Sequence, residues 1–338
     1  MKKIIYLSLF LFTFLVQAQD LSKIYEQVNP AVVEIITEEK ITISNGIDTK
    51  TGTAAGLGSG FMISDKQIIT AAHVVQIADG IKVKFLDGEV IPANVISSFK
   101  TADIALIELV WPRKNAVTVK LGDSDKVKIG SQVFIVGAPF GLGHSFSSGY
   151  VSGFKRNLND KNPFTKYEYI QTDASINTGN SGGPMFNIKG EVIGVVSSIL
   201  TKSGGFEGIG FATTSNLTRK HLIEKKHFWS GVELIPLTGK IAEIFNLPQK
   251  TGFLVQRVVM SSPLGIIGVR GGTIEMEVGG QKLWVGGDII LSFNGIKIEE
   301  SDEILLQIAN NMDNRSPDDP VQVTVLRAGK IKTLGRTK

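Results

Sequence analysis

Short apolar runs separated by turns fill most of the first two thirds of this chain. The runs lie at residues 31–37, 60–63, 81–85, 103–109, 132–137, 167–172, 191–197 and 208–212. After the third run, Asp87-Gly88 is a strong signal for a hairpin turn into residues 89–91. Many short strands at regular spacing are typical of a sandwich or barrel. The pattern therefore predicts a mainly β fold, with helical character limited to residues 21–28 and a turn after His73.

A change of pattern after residue 212 predicts a second unit. Ser215 and Asn216 form a good helix N-cap, so a connecting helix is expected to run to about Lys226. Residues 228–334 then mix strands with helices predicted at 239–246 and 301–310, and they end in a hairpin turning at Ala328-Gly329. A segment of about 100 residues is long enough for an independent domain.

One serine crowded by glycines supplies the strongest chemical signal. Ser181 lies in the run NTGNSGGP at residues 177–184. Glycine adopts backbone conformations closed to other residues and lets a ligand approach the main chain. A serine on such a turn, with backbone N–H groups pointing inward, has the features of a nucleophile beside an oxyanion hole. The run predicts a hydrolase, which would also need a histidine and a carboxylate.

Four histidines are available as the base, and His73 is the strongest candidate. It lies in ITAAHVV at residues 69–75, just past a strand, where a structural histidine is the plainer alternative. His144 lies in a glycine-rich loop with no rigid support. His221 and His227 lie on or beside the connecting helix among charged neighbours, and they are expected to be solvated.

The leading carboxylate is Asp103, which heads an apolar run. A carboxylate there is costly to bury unless it is hydrogen-bonded. A histidine Nδ1–H would satisfy it and fix the tautomer in which Nε2 accepts the serine proton. The alternative is a solvated residue at a strand start. Asp123 and Asp125 lie in a polar turn, and Asp173 is expected to support the serine loop.

The N-terminus predicts export from the cytoplasm. Lys2 and Lys3 precede an apolar run at residues 4–16, and residues 16–18 form a small-residue cleavage site. We expect residues 1–18 to be a signal peptide. The alternative is an uncleaved anchor, but the run is shorter than the ~20 residues that span a bilayer. The chain contains no cysteine, and an exported protein without disulfides fits a bacterial envelope.

Composition argues against several classes of function. A hydrophobic content of 42% and a charged content of 20% are ordinary for a folded soluble protein. The net charge of +4 is scattered rather than gathered into a basic stripe with aromatics, so no nucleic-acid partner is expected. No clustered set of metal ligands and no nucleotide-binding signature occurs, so no cofactor is expected.

The order His73, Asp103, Ser181 is the chain order of the chymotrypsin class. Beyond these residues, the chain resembles the HtrA (Deg) family of envelope serine proteases over nearly its whole length after the signal peptide. The matching segments are GSGF at 58–61, TAAHV at 70–74, DIA at 103–105, LGDSD at 121–125, GAPFG at 137–141, QTDA at 171–174, the serine loop and GIGFA at 208–212. The resemblance implies a chymotrypsin-like double β-barrel domain at 19–227, followed by one α+β PDZ domain at 228–338.

The resemblance also implies a role for each residue of the site. Ser181 would attack the peptide carbonyl, His73 would carry its proton to the leaving amine, and Asp103 would orient His73. The backbone N–H groups of Gly179 and Ser181 would bind the oxyanion. Asn180 stands where digestive trypsin-like enzymes carry an aspartate that pairs with a new N-terminus, so activation by zymogen cleavage is not expected. In this family, loops, subunits and ligands order the catalytic loops instead.

A specificity pocket can be outlined from the same resemblance. Ser175 would lie near its base, and a neutral base argues against a preference for Lys or Arg. The walls would be formed by Val196, Ser197, Ser198, Gly210, Phe211 and Ala212. Because Phe211 would narrow the site, small aliphatic residues are expected before the cleaved bond. The alternative is that loop movement reshapes the pocket.

The second unit resembles a PDZ domain of the permuted bacterial kind. Its carboxylate-binding loop would be Trp229, Ser230, Gly231 and Val232, although the first two depart from the usual residues. Such a loop captures a peptide C-terminus while the peptide adds as a strand to the sheet edge. Residues 252–255, 262–263 and 287–295 complete the match. The stretch 270–286 is longer than the common pattern and predicts an extra hairpin.

These features predict a periplasmic serine endopeptidase that cleaves misfolded or C-terminally marked proteins and is regulated by peptide binding to the PDZ domain. The family usually assembles as a trimer through the N-terminal part of the protease domain, here residues 21–30, so a homotrimer or larger homo-oligomer is expected. One alternative is a protease that cuts a single signalling protein. Another is a chaperone-like binding protein with secondary or signal-gated proteolysis.

Overall fold

The computed structural model describes residues 20–44, 49–138, 144–157, 167–201, 205–315 and 319–336. The predicted signal peptide and part of the GAPFG segment lie outside the described residues. The α-helices are α1 (Ser22–Val28), α2 (Ala72–Val75), α3 (Ser215–Thr218), α4 (Gly239–Ile244), α5 (Pro263–Ile266) and α6 (Asp302–Asp313). None of these helices is long and apolar enough to cross a membrane.

The first six strands close into barrel 1. They are β1 (Val32–Ser44), β2 (Thr49–Met62), β3 (Gln67–Thr70), β4 (Gly80–Lys84), β5 (Val90–Phe99) and β6 (Ile104–Leu109), paired in the order β1-β2-β3-β6-β5-β4. Alternation along β5 buries Ile91, Ala93 and Val95 and turns the residues between them outward. These three pack with Ile35 and Val83 inside the barrel.

The next six strands close into barrel 2. They are β7 (Gln132–Gly137), β8 (Ser145–Asn157), β9 (Tyr167–Thr172), β10 (Pro184–Asn187), β11 (Val192–Ile199) and β12 (Gly210–Thr214), paired in the order β10-β11-β12-β9-β8-β7. A shared apolar cluster joins the barrels, with Phe61 and Leu106 from barrel 1 and Phe134 and Phe186 from barrel 2. The rings of Phe134 and Phe186 stack at 5.0 Å. The predicted mainly β, double-barrel fold is confirmed.

The segment predicted above as the second unit follows the two barrels and is called the third unit below. It combines a sheet with helices. Its strands are β13 (Val232–Leu237), β14 (Gly252–Val258), β15 (Ile274–Val278), β16 (Gln281–Val285), β17 (Ile289–Phe293), β18 (Ile296–Lys297), β19 (Gln322–Arg327) and β20 (Lys330–Gly335). The sheet runs β13-β14-β17-β19-β20, with β18 paired to β17. Helix α6 places Ile308 and Met312 in the core of this unit.

The extra hairpin predicted within residues 270–286 is confirmed as β15 and β16, which pair only with each other among the described strands. The side-chain amide of Gln256 attaches it to β14. Its Oε1 accepts the backbone N–H of Trp284 at 2.8 Å, and its Nε2 donates to the Trp284 carbonyl at 3.2 Å. Gln256 is itself buried, so one side chain substitutes for a missing pair of ladder hydrogen bonds.

The connecting helix differs from its prediction. Helix α3 is followed by a π-helical turn, Arg219–Glu224, so the helical segment ends before Lys226. The N-cap of α3 is Thr214 rather than Ser215. The Ser215 hydroxyl instead donates to the carbonyl of Gly122 at 2.9 Å, which ties the helix to the segment between the two barrels and takes that hydroxyl away from capping.

Candidate active site

The pairing of β3 with β6 brings His73 and Asp103 together. His73 lies in α2, which follows β3, and Asp103 immediately precedes β6, while Thr70 and Ala105 lie opposite each other in the ladder. Asp103 adopts a left-handed conformation with φ 55, which aspartate tolerates better than most residues. Its Oδ1 accepts the backbone N–H of His73 at 2.9 Å, and its Oδ2 lies 2.8 Å from His73 Nδ1.

Asp103 has a further partner that sequence reasoning missed. Ser197 Oγ donates to Asp103 Oδ2 at 2.5 Å. A bulge in the β11–β12 ladder, between Val196 and Ser198, frees Ser197 from the regular alternation. The sequence placed Ser197 in the wall of the specificity pocket, and no local motif indicates that it reaches Asp103 across 94 residues of chain.

Tyr169 on β9 extends this network and was also missed. Its hydroxyl hydrogen-bonds with Ser197. Burial, with a contribution from the negative charge of Asp103, raises the pKa of Tyr169 to about 12. The phenol therefore stays protonated at neutral pH and remains available as a donor.

The carboxylate of Asp103 sets the basicity of His73. Burial alone lowers the pKa of His73, but the hydrogen bond and negative charge of Asp103 outweigh burial and raise that pKa above its ordinary value. The His73 side chain is still 52% exposed, so the imidazole is accessible from the cleft. A histidine in this state is suited to take up a proton near neutral pH.

Ser181 is half-buried on the turn between β9 and β10. Its carbonyl accepts the N–H of Ser59 at 2.8 Å, and its Oγ donates a long hydrogen bond of 3.4 Å to the Ser197 carbonyl. Among the described residues, this hydroxyl makes no hydrogen bond to His73. Catalytic hydrogen bonds are often long or misaligned before substrate binds.

Gly182 fixes the turn beside Ser181. Its φ is +83, and an added Cβ would overlap the Ser59 carbonyl and the Thr70 hydroxyl. Its N–H donates to the Val196 carbonyl at 2.7 Å. Only glycine meets both the backbone conformation and the close approach, which explains why glycine follows the serine.

The carbonyl of Gly179 is held by a buried serine, Ser59. Ser59 Oγ donates to it at 2.6 Å and accepts the N–H of Ala138 at 2.8 Å. Within the described residues, the N–H groups of Gly179 and Ser181 donate no hydrogen bond. Two backbone donors beside the serine are therefore available to an anionic oxygen. Ser59 lies in the GSGF segment, but no local pattern in the sequence predicts this contact with Gly179.

Asn180 is 3% exposed, and its Oδ1 has no hydrogen-bond partner among the described residues. It packs against Gly137, where an added Cβ would overlap the side-chain amide. A charged aspartate in this enclosed position would need a cationic partner.

The surroundings of Ser175 differ in part from the predicted pocket. Ser175 is exposed, and its carbonyl accepts the hydroxyl of Ser147 at 2.8 Å. The next residue, Ile176, is 3% exposed and lies against Gly210 and the ring of Phe206. Val196 and Ala212 belong to the same apolar cluster, and Ser198 is exposed.

Phe211 does not lie beside Ile176, where it was expected to narrow the specificity pocket. Along β12 it alternates with the buried Gly210 and Ala212, so its ring is on the opposite face of the strand. There it meets Tyr169 edge-on at 6.2 Å. The aromatic ring beside Ile176 is that of Phe206, from the loop before β12.

The three other aspartates considered as partners of His73 bind neighbouring backbone or lie in a turn instead. Asp173 is exposed, and its Oδ1 accepts the N–H of Tyr150 at 2.6 Å, which attaches the serine loop to β8. Asp123 accepts the N–H of Asp125 and pairs with Lys126 at 3.1 Å. None of these three acids lies beside His73.

The expectation that His221 and His227 are solvated is wrong. They are 8% and 9% exposed, because the connector is enclosed between barrel 1 and the third unit. His227 Nδ1 lies 2.6 Å from Asp313 Oδ2, and His221 Nδ1 lies 2.7 Å from His227 Nε2. The ring of Phe99 stacks on both imidazoles, at 4.2 and 4.5 Å. His144 was expected to lack rigid support, but its Nδ1 lies 2.6 Å from Asn29 Oδ1.

The predicted carboxylate-binding loop borders a cavity of about 810 Å³. Gly231 is buried with φ +65, and an added Cβ would overlap the Ser262 side chain. The indole N–H of Trp229 donates to the Gln76 carbonyl at 3.1 Å, just past α2. Among the described residues, no group of three or more His, Cys, Asp or Glu side chains could hold a metal ion.

Comparison with known proteins agrees with this geometry. Residues 58–195 match the trypsin-like peptidase domain. The chain is 33% identical over 356 aligned positions to a probable periplasmic serine endoprotease, DegP-like, of Marinomonas sp. (strain MWYL1), covering 94% of this chain and 71% of the relative. The chain belongs to the HtrA (Deg) family of trypsin-like serine proteases.

Other members of the HtrA family are similar to this chain in sequence and in fold. A DegP-like relative from Pseudomonas putida (strain F1) is 37% identical, over 80% of this chain and 58% of its own length. The solved HtrA-type protease AlgW with decapeptide has 27% identity and a TM-score of 0.52, covering 94% of this chain and 97% of that one. AlgW with tripeptide gives 29% identity and the same TM-score. The enzyme class is serine endopeptidase, and the chain spans from about a half to 71% of the length of the curated relatives it matches.

Proposed function

We propose that the chain is a periplasmic serine endopeptidase that acts on misfolded or C-terminally marked polypeptides through Ser181, His73 and Asp103. The observation that carries the proposal is the pair of N–H groups at Gly179 and Ser181, which donate to no described residue, beside the hydrogen-bonded His73–Asp103 pair. The curated relatives are named as periplasmic endoproteases, which supports the location.

In this mechanism each group performs one step. Ser181 Oγ attacks the scissile carbonyl while His73 Nε2 accepts its proton, and Asp103 stabilises the imidazolium that forms. The N–H groups of Gly179 and Ser181 bind the oxyanion of the tetrahedral intermediate. His73 then protonates the leaving amine. In the second half, His73 accepts a proton from water as the water oxygen attacks the acyl carbon, and it returns that proton to Ser181 Oγ as the ester bond breaks.

The decisive comparison is wild type against Ser181→Ala on unfolded casein. We expect the variant to lose at least ~10³-fold in rate, because the nucleophile is absent. Ser152→Ala, at an exposed position of β8, is a matched control that should retain activity. Equal digestion by wild type and Ser181→Ala would reject the enzymatic mechanism. If wild type suppresses aggregation of unfolded protein without cutting it, the chaperone-like alternative is favoured.

The apolar environment of Ile176 supports a preference for small aliphatic residues before the cleaved bond. Ile176 and Phe206 belong to one apolar cluster, whose described members offer no counter-charge for Lys or Arg. Digestion of casein followed by mass spectrometry of the new C-termini measures the preference. Frequent cleavage after Lys or Arg would contradict it.

The third unit is proposed to bind peptide C-termini as a PDZ domain, between β13 and α6. The cavity there carries apolar side chains from both elements, including Val232, Leu234, Leu305 and Ile308. A peptide with a free C-terminal carboxylate after an apolar residue should bind, and its amidated form should bind more weakly. Equal affinity for the two forms would contradict the PDZ assignment.

Assembly as a homotrimer through residues 21–30 is also proposed. Leu21 and Ile24 of this segment pack on the shared apolar cluster, and the ring of Tyr25 meets Phe146 edge-on at 5.7 Å. Phe146 is 40% exposed, which leaves apolar surface for a neighbouring copy. Light scattering coupled to gel filtration should give three times the chain mass for wild type and a smaller mass for Tyr25→Ala. A monomeric wild type would exclude the trimer.

A further inference from the structure

Barrel 1 and the third unit face each other across the cavity that borders the predicted carboxylate-binding loop. The third unit contributes Ser230 of the loop and the apolar side chains of β13 and α6. Barrel 1 contributes Gln76 and the 3₁₀ turn that begins at Lys100 and ends just before Asp103. A ligand in this cavity would therefore contact both units.

The cavity wall includes both a residue of the carboxylate-binding loop, Ser230, and a cation, Lys100. Within the described residues, the N–H groups of Ser230 and Gly231 donate no hydrogen bond, although Gly231 is buried. Buried backbone donors are nearly always paired, so the Gly231 N–H indicates an acceptor supplied by a ligand, and Ser230, the neighbouring donor, is half-buried. Lys100 is exposed and lines the same cavity, and it forms no ion pair with another described residue.

Asp313 is the only carboxylate among the described residues that line the cavity, and it already has partners. Asp313 pairs with His227 at 2.6 Å and accepts the N–H of Phe228 at 3.1 Å. Lys225 lies 3.5 Å from the same carboxylate. Asp313 is therefore largely neutralised and leaves Lys100 as the charge available to an incoming ligand.

Trp229 holds the end of β5 against the loop. Its indole donates to the Gln76 carbonyl, and Gln76 Oε1 accepts the hydroxyl of Ser98 at 2.7 Å. The following residue, Phe99, stacks on His227 at 4.5 Å. These contacts hold the end of β5 beside the loop immediately before Lys100, and Lys100 lines the same cavity as Ser230.

We propose that Lys100 is the cationic partner of the C-terminal carboxylate of a peptide bound in this cavity. The carboxylate would be held by the Ser230 and Gly231 N–H groups on one side and by the Lys100 ammonium on the other, across the boundary between the two units. This inference rests on the proposed PDZ function and adds to it a residue of the protease barrels. The Lys100 carbonyl also accepts the N–H of Asp103 at 3.0 Å, so the bound carboxylate would restrain the turn that positions Asp103.

A double-mutant cycle between Lys100 and the ligand carboxylate tests the proposal. Binding of a short fluorescent peptide ending in Val-Leu is measured as free acid and as amide, in the full chain carrying Ser181→Ala to prevent digestion. The Lys100→Gln variant should lose about tenfold in affinity for the acid, the worth of a charged hydrogen bond, and little for the amide. Lys100→Arg should keep most of the preference, and the exposed Lys128→Gln should leave it unchanged.

Each outcome separates this inference from the function on which it rests. If the background protein binds acid and amide equally, the PDZ function fails and the inference fails with it. If it prefers the acid and Lys100→Gln keeps the whole preference, only the role of Lys100 is overturned. An equal loss for both peptides in Lys100→Gln would show that the lysine supports the groove and not the carboxylate, and would also overturn it.

Discussion

At the scale of single residues, Asp103 is the most fully engaged group in the site. It accepts the His73 backbone N–H, the His73 Nδ1–H and the Ser197 hydroxyl. These three donors satisfy the oxygens of a side chain that is only partly exposed. The sequence predicted Asp103 from its position before an apolar strand, but it could not predict Ser197, because that contact depends on how the two barrels meet.

Replacing Ser197 should slow the chemical step. Ser197→Ala removes a hydrogen bond to a charged carboxylate, worth ~1.5–3 kcal/mol, so kcat should fall by about 10- to 100-fold. If Ser197 positions Asp103, kcat falls more than KM rises, and the acid limb of the pH–rate profile shifts. Steady-state kinetics on a peptide substrate measure both, with Ser152→Ala as control. A change confined to KM would assign Ser197 to the substrate pocket alone.

The pH profile should report the pKa of His73. Only neutral His73 can accept the serine proton, and Asp103 raises the pKa of His73 above its ordinary value. Activity should therefore fall as pH decreases through a midpoint above ~6.5. Asp103→Asn removes the charge, which should lower that midpoint and reduce kcat by about 10⁴-fold. An unchanged midpoint in Asp103→Asn would contradict the assigned cause.

At the scale of elements, the serine loop is a turn whose shape depends on small residues. The alternating strands and the glycine run could be predicted because both are local patterns in the sequence. The position of Phe211 could not, because a one-residue change of register moves a side chain to the other face of a strand. The buried Ser59 that holds the Gly179 carbonyl is likewise a contact between distant segments.

Gly182→Ala and Gly88→Ala form a matched pair that separates backbone strain from steric overlap. Both glycines have positive φ, +83 and +89, but Gly88 has no neighbouring atom within 4 Å of an added Cβ. Gly88→Ala should cost about 1–2 kcal/mol of unfolding free energy and leave activity intact. Gly182→Ala adds overlap with backbone of barrel 1, so we expect a larger loss and no measurable proteolysis. Equal losses in thermal unfolding would contradict the overlap.

At the scale of the whole molecule, polar contacts join the barrels to the third unit. His221, His227 and Asp313 form a chain of short hydrogen bonds against Phe99, and Arg257 pairs with Glu39 of β1 at 2.9 Å. Sequence reasoning placed both histidines in solvent because their chain neighbours are charged. Their burial comes from the packing of two units that are separate in sequence, which local patterns do not record.

Asp313→Asn should weaken this junction in a pH-dependent way. Burial raises the pKa of Asp313, but the hydrogen bond and charge of His227, the Phe228 N–H and Lys225 outweigh it and lower the pKa. The carboxylate therefore stabilises the fold above ~pH 4, its unfolded value, and this stabilisation is lost as pH falls through the lower folded value.

The loss in Asp313→Asn should be about 1–3 kcal/mol near neutral pH. The difference in Tm from wild type should shrink below about pH 4, where the unfolded chain takes up the proton first, and disappear below the lower folded pKa of Asp313. Asp125→Asn, at an exposed turn, is the control and should change little. A Tm difference that stays constant down to pH 2 would contradict the role of the charge.

The hydrogen bond from Trp229 to Gln76 also gives the chain a built-in optical probe. The sequence contains three tryptophans, of which Trp111 is 49% exposed and Trp284 lies on the extra hairpin. With Trp111 and Trp284 replaced by phenylalanine, tryptophan fluorescence would come from Trp229 alone, which lies between α2 and the rest of the carboxylate-binding loop. Its wavelength and quenching by iodide would then follow separation of the two units in real time, without an attached dye.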